Sequence, residues 1–364
     1  MGVCARCTRH SVIARSDGHA IVSPMHPIRN ALIRCLVLAL PLLALAGRAD
    51  AIELMLPIDC ELGKACFIQN YVDVDPGLGV KDYACGAATY DGHDGTDFRV
   101  LSLEAAEPGI TVRAAAGGVV LGFRDAIADR LLMTEADKEA VKGKECGNGV
   151  TLDHGGGWQT QYCHMRRGSI RVKTGETLAA GAALGLIGGS GLVEFPHMHF
   201  SVRFNGLPVD PFIGTVVKGE CAPDATGALS GTLWAKSALS NLSAPRTTVL
   251  ETGFAGGEVN SRQLEIGRSR VAKVGPESPA LLFYARVMHV RKGDVLRLVV
   301  YGPDGELVRT PVKPLDRDKA IYVGYAGKKR KEGRPWQGTY EGIAEIVRDG
   351  EVVATGRARI QPGS

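Results

Sequence analysis

The stretch Phe195-Pro196-His197-Met198-His199-Phe200 restricts what this chain can fold into more than any other. Imidazoles alternating with apolar side chains read as a β-strand, in which successive side chains take opposite faces. Met198 and Phe200 then face a core, and His197 and His199 emerge together on the other side. A buried pair of histidines needs partners for all of its ring nitrogens. A shared metal ion supplies them, as does a metal on one ring with a proton on the other. An ordinary hydrogen-bonded pair is the alternative at this level.

The chain has 364 residues, enough for two domains. Its start reads as a targeting segment. Arg29 and Arg34 precede an apolar run over residues 36–46, and Ala49-Asp50-Ala51 has the A-x-A form of a cleavage site. That run is too short for a stable membrane span, and Cys35 lies before it rather than at the cleavage point. Residues 1–51 are therefore expected to be a signal peptide, with Met25 an alternative start, and the mature chain to be exported, periplasmic or secreted. The overall net charge is +4, and the leader carries six Arg and two Asp, so removing it leaves 4 − 4 = 0. Nothing in that balance points to nucleic acid. The mature chain is charge-split: residues 52–244 hold 16 basic and 23 acidic side chains (−7), and residues 245–364 hold 21 and 14 (+7). Two domains of different character follow, with long-range attraction favouring their docking.

Cys60, Cys66, Cys85, Cys146, Cys163 and Cys221 remain after the leader. No two have C-x-x-C spacing, so the expectation is disulfides, with fifteen connectivities open. Residues 52–90, rich in Gly, Pro, Asp and Cys, read as an irregular, disulfide-pinned lead-in. The run Asp91-Gly92-His93-Asp94-Gly95-Thr96-Asp97 then leaves three residues between His93 and Asp97, with Gly95 permitting a tight backbone path. Imidazole and carboxylate are both good zinc ligands. Strand signals follow at 110–114, 119–123, 150–153, 158–165, 184–187 and 197–204, punctuated by glycines. The segment 126–144 reads as a helical insertion. Residues 150–165 read as a hairpin closed by Gly155-Gly156-Gly157, with Thr160, Tyr162 and His164 on one face.

Residues 216–244 read as a linker. Beyond it, strand-like runs at 281–290, 295–301, 340–348 and 352–360 predict a C-terminal β-sandwich over 245–364. Its one histidine, His289, reads as structural.

The motif His93-x-x-x-Asp97, then Tyr162-x-His164, then His197-x-His199 offers five candidates for a metal site that usually takes three protein ligands and leaves one position open. In this order, together with Val112-Arg113-Ala114, Gly149-Val150-Thr151-Leu152-Asp153-His154-Gly155 and Val209-Asp210-Pro211, the motifs resemble the lysostaphin-type, or LytM-domain, zinc metalloendopeptidases. The resemblance covers about a third of the chain. It implies an all-β-dominated antiparallel catalytic domain over 91–215, hydrolysing peptide cross-bridges of cell-wall peptidoglycan with Zn2+. It also implies His93, Asp97 and His199 as the metal ligands, and His164 and His197 as the catalytic pair that handles water and the transition state. Phe195 stands where the family often has Gly, and Ser201 where it often has Glu; residues 124–147 are longer than the usual connection. A non-catalytic module of the same fold, or an exported zinc peptidase for another substrate, are the competing readings. The bond cleaved and the oligomeric state stay open at this level, and no stable membrane span is expected after signal cleavage.

Overall fold

The computed structural model describes residues 52–132, 134–219, 221, 231–242 and 246–363, so the targeting segment read over 1–51 lies outside the described residues. The chain is predominantly antiparallel β. Eleven strands build the first half: β1 (Cys66–Asn70), β2 (Thr96–Val100), β3 (Thr111–Arg113), β4 (Gly118–Arg124), β5 (Asn148–Gly155), β6 (Trp158–Met165), β7 (Thr177–Leu178), β8 (Ala183–Leu186), β9 (His197–Phe204), β10 (Leu207–Asp210) and β11 (Thr215–Val216). The main sheet runs β1-β2-β9-β6-β5-β4-β7, with β10 beside β9 and β11 beside β10; β3 and β8 pair separately. The histidine-bearing strand β9 thus sits between β2 and β6. Among the described residues three disulfides are present: Cys60–Cys66, Cys85–Cys221 and Cys146–Cys163.

Alternation on β9 runs as its sequence dictates. Met198 and Phe200 are fully buried in a core with Phe98, Tyr162, Leu152 and Phe212. Burying side chains of this size contributes about 1.5–3 kcal/mol each, which pins the register. A one-residue slip would place both histidines in that core. The lead-in is more regular than its composition predicts, because β1 extends the sheet beside β2. Residues 231–242, read within a linker, instead insert Leu233, Trp234 and Ala238 into the same core, and Trp234 bridges to Leu54. Among the described residues of the insertion only Glu135–Ala140 is helical, opened by a capping box of Thr134 and Asp137. The preceding stretch stays irregular because its carboxylates serve the neighbouring turn: Asp125 accepts from the amides of Gly168 and Ile170, and Asp129 from those of Arg167 and Gly189.

Seven more strands follow: β12 (Thr248–Ala255), β13 (Ala280–Val290), β14 (Val295–Gly302), β15 (Gly305–Arg309), β16 (Lys319–Lys329), β17 (Tyr340–Arg348) and β18 (Glu351–Ile360). They form a three-stranded sheet, β12-β13-β16, and a four-stranded sheet, β15-β14-β17-β18, around a core that includes Phe283, Leu298, Val300 and Ile346. Residues Ala49–Ser364 are one compact unit. The two halves meet through buried charge. Arg99 of β2 donates to Glu265 at 2.7 Å, and Arg286 of β13 reaches both Glu265 and Glu251, at 2.9 and 2.8 Å. Arg286 also donates to the carbonyl of Leu101 at 2.5 Å. An apolar contact of Phe67 with Leu250 and Met288 lies alongside. His289 bonds the carbonyl of Gln69 through Nε2 at 2.6 Å, a structural use of that ring. Among the described residues no helix is long and apolar enough to cross a membrane.

Asp210 makes part of this fold pH-sensitive. It is fully buried; Oδ1 accepts from the Phe212 amide at 2.7 Å, while Oδ2 has no partner among the described residues. Burial, assisted by the nearby Asp82, pushes its pKa up to about 7 despite the amide bonds. The folded chain therefore keeps a proton that the unfolded chain releases near pH 4. Stability from this group is lost as pH rises from about 4 to about 7, at up to ~1.4 kcal/mol per pH unit. Asp210→Asn keeps the acceptor and removes the titration. Urea midpoints of variant and native chain should diverge in the variant's favour across that window; parallel curves would contradict this account.

Candidate metal and catalytic site

β2 and β9 pair so that Asp97 lies directly opposite His199, and Arg99 opposite His197. Directly opposed residues share a face, so sheet register alone brings Asp97, His197 and His199 together. His93 arrives from the turn before β2. Its Nε2 lies 3.1 Å from Asp97 Oδ1 and 3.1 Å from His199 Nδ1, and those last two atoms are 2.9 Å apart.

Anchors on the far side of each ring decide which nitrogen holds the proton. His93 Nδ1 donates to the Tyr71 carbonyl at 2.6 Å, leaving the Nε2 lone pair toward the centre. His199 Nε2 faces Asp94 Oδ1 at 3.2 Å and the Ser201 hydroxyl at 2.9 Å, so its Nδ1 points inward. Asn70 donates to the outer oxygen of Asp97 at 2.7 Å. Two imidazole nitrogens and one carboxylate oxygen thus converge on one point, a donor set that suits a cation. His93, Asp97 and His199 are the group of described residues whose ligand atoms all lie within 4.8 Å of one another. Burial opposes ionisation of Asp97, but the histidines packed around it, above all His93 and the hydrogen-bonded His199, hold its carboxyl well below the usual range.

His164 and His197 stand beside this group. Their rings are 4.6 Å apart, and His197 Nε2 is 3.5 Å from Asp97 Oδ1. His164 Nδ1 donates to the Ser190 carbonyl and His197 Nδ1 to that of Phe195, each at 2.8 Å. Burial pushes both below the usual imidazole range, and for His164 the neighbouring imidazoles of His197 and His199 further oppose a positive charge. Two neutral imidazoles therefore present Nε2 to the cavity. Phe195 stacks on His197 with centroids 4.3 Å apart, and Arg99 lies over the other ring of the pair, Phe195, at 5.1 Å.

The shared face read for Thr160, Tyr162 and His164 does not hold. Tyr162 pairs with Phe200 and is buried in the core, its hydroxyl accepting from the Ala115 amide at 2.7 Å. Strict alternation would send His164 the same way. Instead the β5–β6 register shifts between residues 148 and 150, and His164 takes φ 62°, a left-handed turn that swings it to the opposite face. Bulges commonly re-aim a side chain in this way. Gly95 is needed for a different reason from the tight path read in the sequence: a Cβ there would lie 2.6 Å from the His199 ring and 2.7 Å from the Phe200 carbonyl. Gly95→Ala is expected to displace that ring and weaken metal retention by about 10–100-fold, as loss of a supporting contact typically does. A competition titration with a chromogenic chelator measures it, and native affinity would refute the steric argument. His154, by contrast, spends both nitrogens on Gly117 and Thr160, away from the centre.

Asp94 and Asn70 were not singled out as site residues by the sequence. Asp94 lies inside the His93-x-x-x-Asp97 motif, adjacent to a ligand candidate, which is a usable signal; Asn70 carries none. Burial alone would raise the Asp94 carboxyl, but its hydrogen bond to His199, with the charges of His199 and Arg203, lowers it to about 2. Asp94 is thus an anion that supports His199 from outside, where Ser201 supplies only a hydroxyl.

Compared with known protein families, residues 91–211 match the model described as Peptidase family M23. The chain is 32% identical over 136 residues to the peptidoglycan DD-endopeptidase ShyA of Vibrio cholerae, which covers 36% of this chain and 26% of that protein. It is 30% identical over 121 residues to the DD-carboxypeptidase/endopeptidase Mpg of Neisseria meningitidis, covering 33% and 22%. The matches thus span about a quarter or less of those relatives. Among solved structures, the catalytic domain of lysostaphin from Staphylococcus simulans aligns with 22% identity over 37% of this chain and 77% of that one, at a TM-score of 0.24.

Proposed function

We propose that this chain is an exported zinc metalloendopeptidase that hydrolyses peptide cross-links of bacterial peptidoglycan, a reading supported by the match of residues 91–211 to the model described as Peptidase family M23. The observation that carries the reading is the convergence of His93 Nε2, Asp97 Oδ1 and His199 Nδ1 beside two further neutral histidines. Two imidazole nitrogens and one carboxylate oxygen form a donor set suited to catalytic zinc. Zinc held there supplies Lewis acidity, polarising a peptide carbonyl and making water nucleophilic near neutral pH.

The chain's own groups do the rest. Asn70, Tyr71, Asp94 and Ser201 fix the ligand orientations from outside. His164 and His197, neutral and with Nδ1 occupied by carbonyls, offer Nε2 lone pairs that accept a proton from attacking water. Once protonated, the same Nε2–H donates to oxyanion or leaving nitrogen. Phe195 holds the His197 ring plane. The three disulfides fit an oxidising compartment.

Incubating the zinc-loaded mature chain with purified sacculi tests the reading. Mass analysis should show muropeptides newly cut at their cross-links, and a chelator should stop their release. Sacculi left intact would sink the proposal.

A further inference from the structure

His164 and His197 open into a cavity of about 740 Å³, and one wall of it comes from the C-terminal half, through Arg262, Glu265 and Ile321. The charges around this cavity are paired with one exception. Asp97 is engaged by histidines. Glu265 is shared by Arg99 and Arg286. Lys138 lies between Glu135 and Glu194, at 3.2 and 3.4 Å. Arg262 is exposed, and among the described residues no hydrogen bond or ion pair engages it.

Its backbone is not loose. Arg262 belongs to the helix Ser261–Ile266, whose start is closed by a reciprocal bond pair between Asn260 and Gln263. One turn on, Glu265 ties that helix to the buried Arg99 of β2, only two residues from Asp97. An unspent guanidinium is therefore carried on an element fixed to the sheet of the candidate site, and Arg262 lines the same cavity as the candidate catalytic pair. A guanidinium fork is shaped for bidentate capture of a carboxylate.

We propose that Arg262 is a specificity-determining residue: it takes a carboxylate of the bound peptide, so that the preferred substrate carries a free carboxylate beside the scissile bond. The inference rests on the peptidase reading above and adds to it a substrate class and a contribution from outside the M23 segment.

The test uses cross-linked muropeptide dimers, native and with carboxylates converted to amides, and the full-length mature chain. The native chain should cleave the native dimer with kcat/KM about tenfold or more above the amidated one, most of it in KM, as expected for one charge-assisted hydrogen-bonded pair. In Arg262→Gln that ratio should fall to near one, and Arg262→Lys should recover part of it. An unchanged ratio in Arg262→Gln would overturn the proposal. Binding of both dimers, measured calorimetrically on His164→Ala with and without Arg262→Gln, separates the two readings. If neither dimer is cleaved by the native chain, the peptidase reading fails. Carboxylate-dependent binding that disappears with Arg262 still upholds this contact, and binding indifferent to the carboxylate overturns it.

Discussion

Alanine at Asp97 is expected to remove zinc and hydrolysis together, whereas alanine at His164 should remove hydrolysis and leave zinc in place. Asp97 Oδ1 is the atom that both His93 Nε2 and His199 Nδ1 approach, at 3.1 and 2.9 Å, and deleting it leaves two imidazoles facing each other across 3.1 Å with nothing between them. It also strands the buried amide of Asn70. Metal analysis after dialysis should give close to one zinc per native chain and close to none in Asp97→Ala. His164 touches none of the three ligand atoms at bonding distance; its Nδ1 is spent on Ser190. Its alanine variant should keep its zinc and lose about 10²–10⁴ in kcat, the usual contribution of a positioned acid or base. Full zinc in Asp97→Ala would refute the ligand assignment. His199 and His197 provide the matching contrast, since Nδ1 of the first points into the donor set while Nε2 of the second stands 3.5 Å from Asp97. If His197→Ala empties the site and His199→Ala does not, the two roles are reversed.

The second large effect concerns the joint between the two halves. Glu265→Ala should cost roughly 3–5 kcal/mol of stability, the usual result of leaving a buried charge without its partner. Arg99 has no exposed surface, and its carboxylate partner is Glu265; Arg286, equally buried, would lose one of two. Urea unfolding followed by tryptophan fluorescence measures this, and a loss below about 1 kcal/mol would mean that the charges find water instead. Removing residues 245–364 takes away Glu265 and Glu251 and uncovers Phe67 as well, so the shortened chain should lose its fold or its solubility rather than gain activity. Opposed net charges of −7 and +7 predicted attraction between the halves, yet the buried ion pair across the joint runs the other way: the acidic half contributes Arg99 and the basic half Glu265. Salt screens exposed charges far more than buried ones, so raising ionic strength should not part the halves.

The sheet that carries the candidate site was readable because its signals are local. Alternation on β9 places His197 and His199, and β6 and β17 match their sequence-based bounds. What escaped depends on partners distant in sequence. The turn at His164 follows from a register shift between strands, and no periodicity within β6 contains it. β12 and β16 went unread because Gly253, Gly324 and Gly327 look like breakers. In the fold each glycine is a close approach: a Cβ would meet the Tyr284 ring, the Leu296 side chain and the Leu281 carbonyl respectively. Glu265 and Arg262 sit in a short helix of six residues, too brief for a helical period to register. The mixed sign of the joint could not be had from totals, which ignore where charges lie.

The disulfide Cys146–Cys163 ends on the residue just before His164, and the Cys146 carbonyl accepts the His164 amide at 2.8 Å. The turn that aims this histidine is thereby stitched twice, once covalently, to the end of the inserted segment. In a thiol-reducing compartment only the weaker stitch is available. A newly made chain there would hold all three candidate ligands while the histidine beside them is left poorly aimed. Competence would then arrive with oxidation rather than with synthesis.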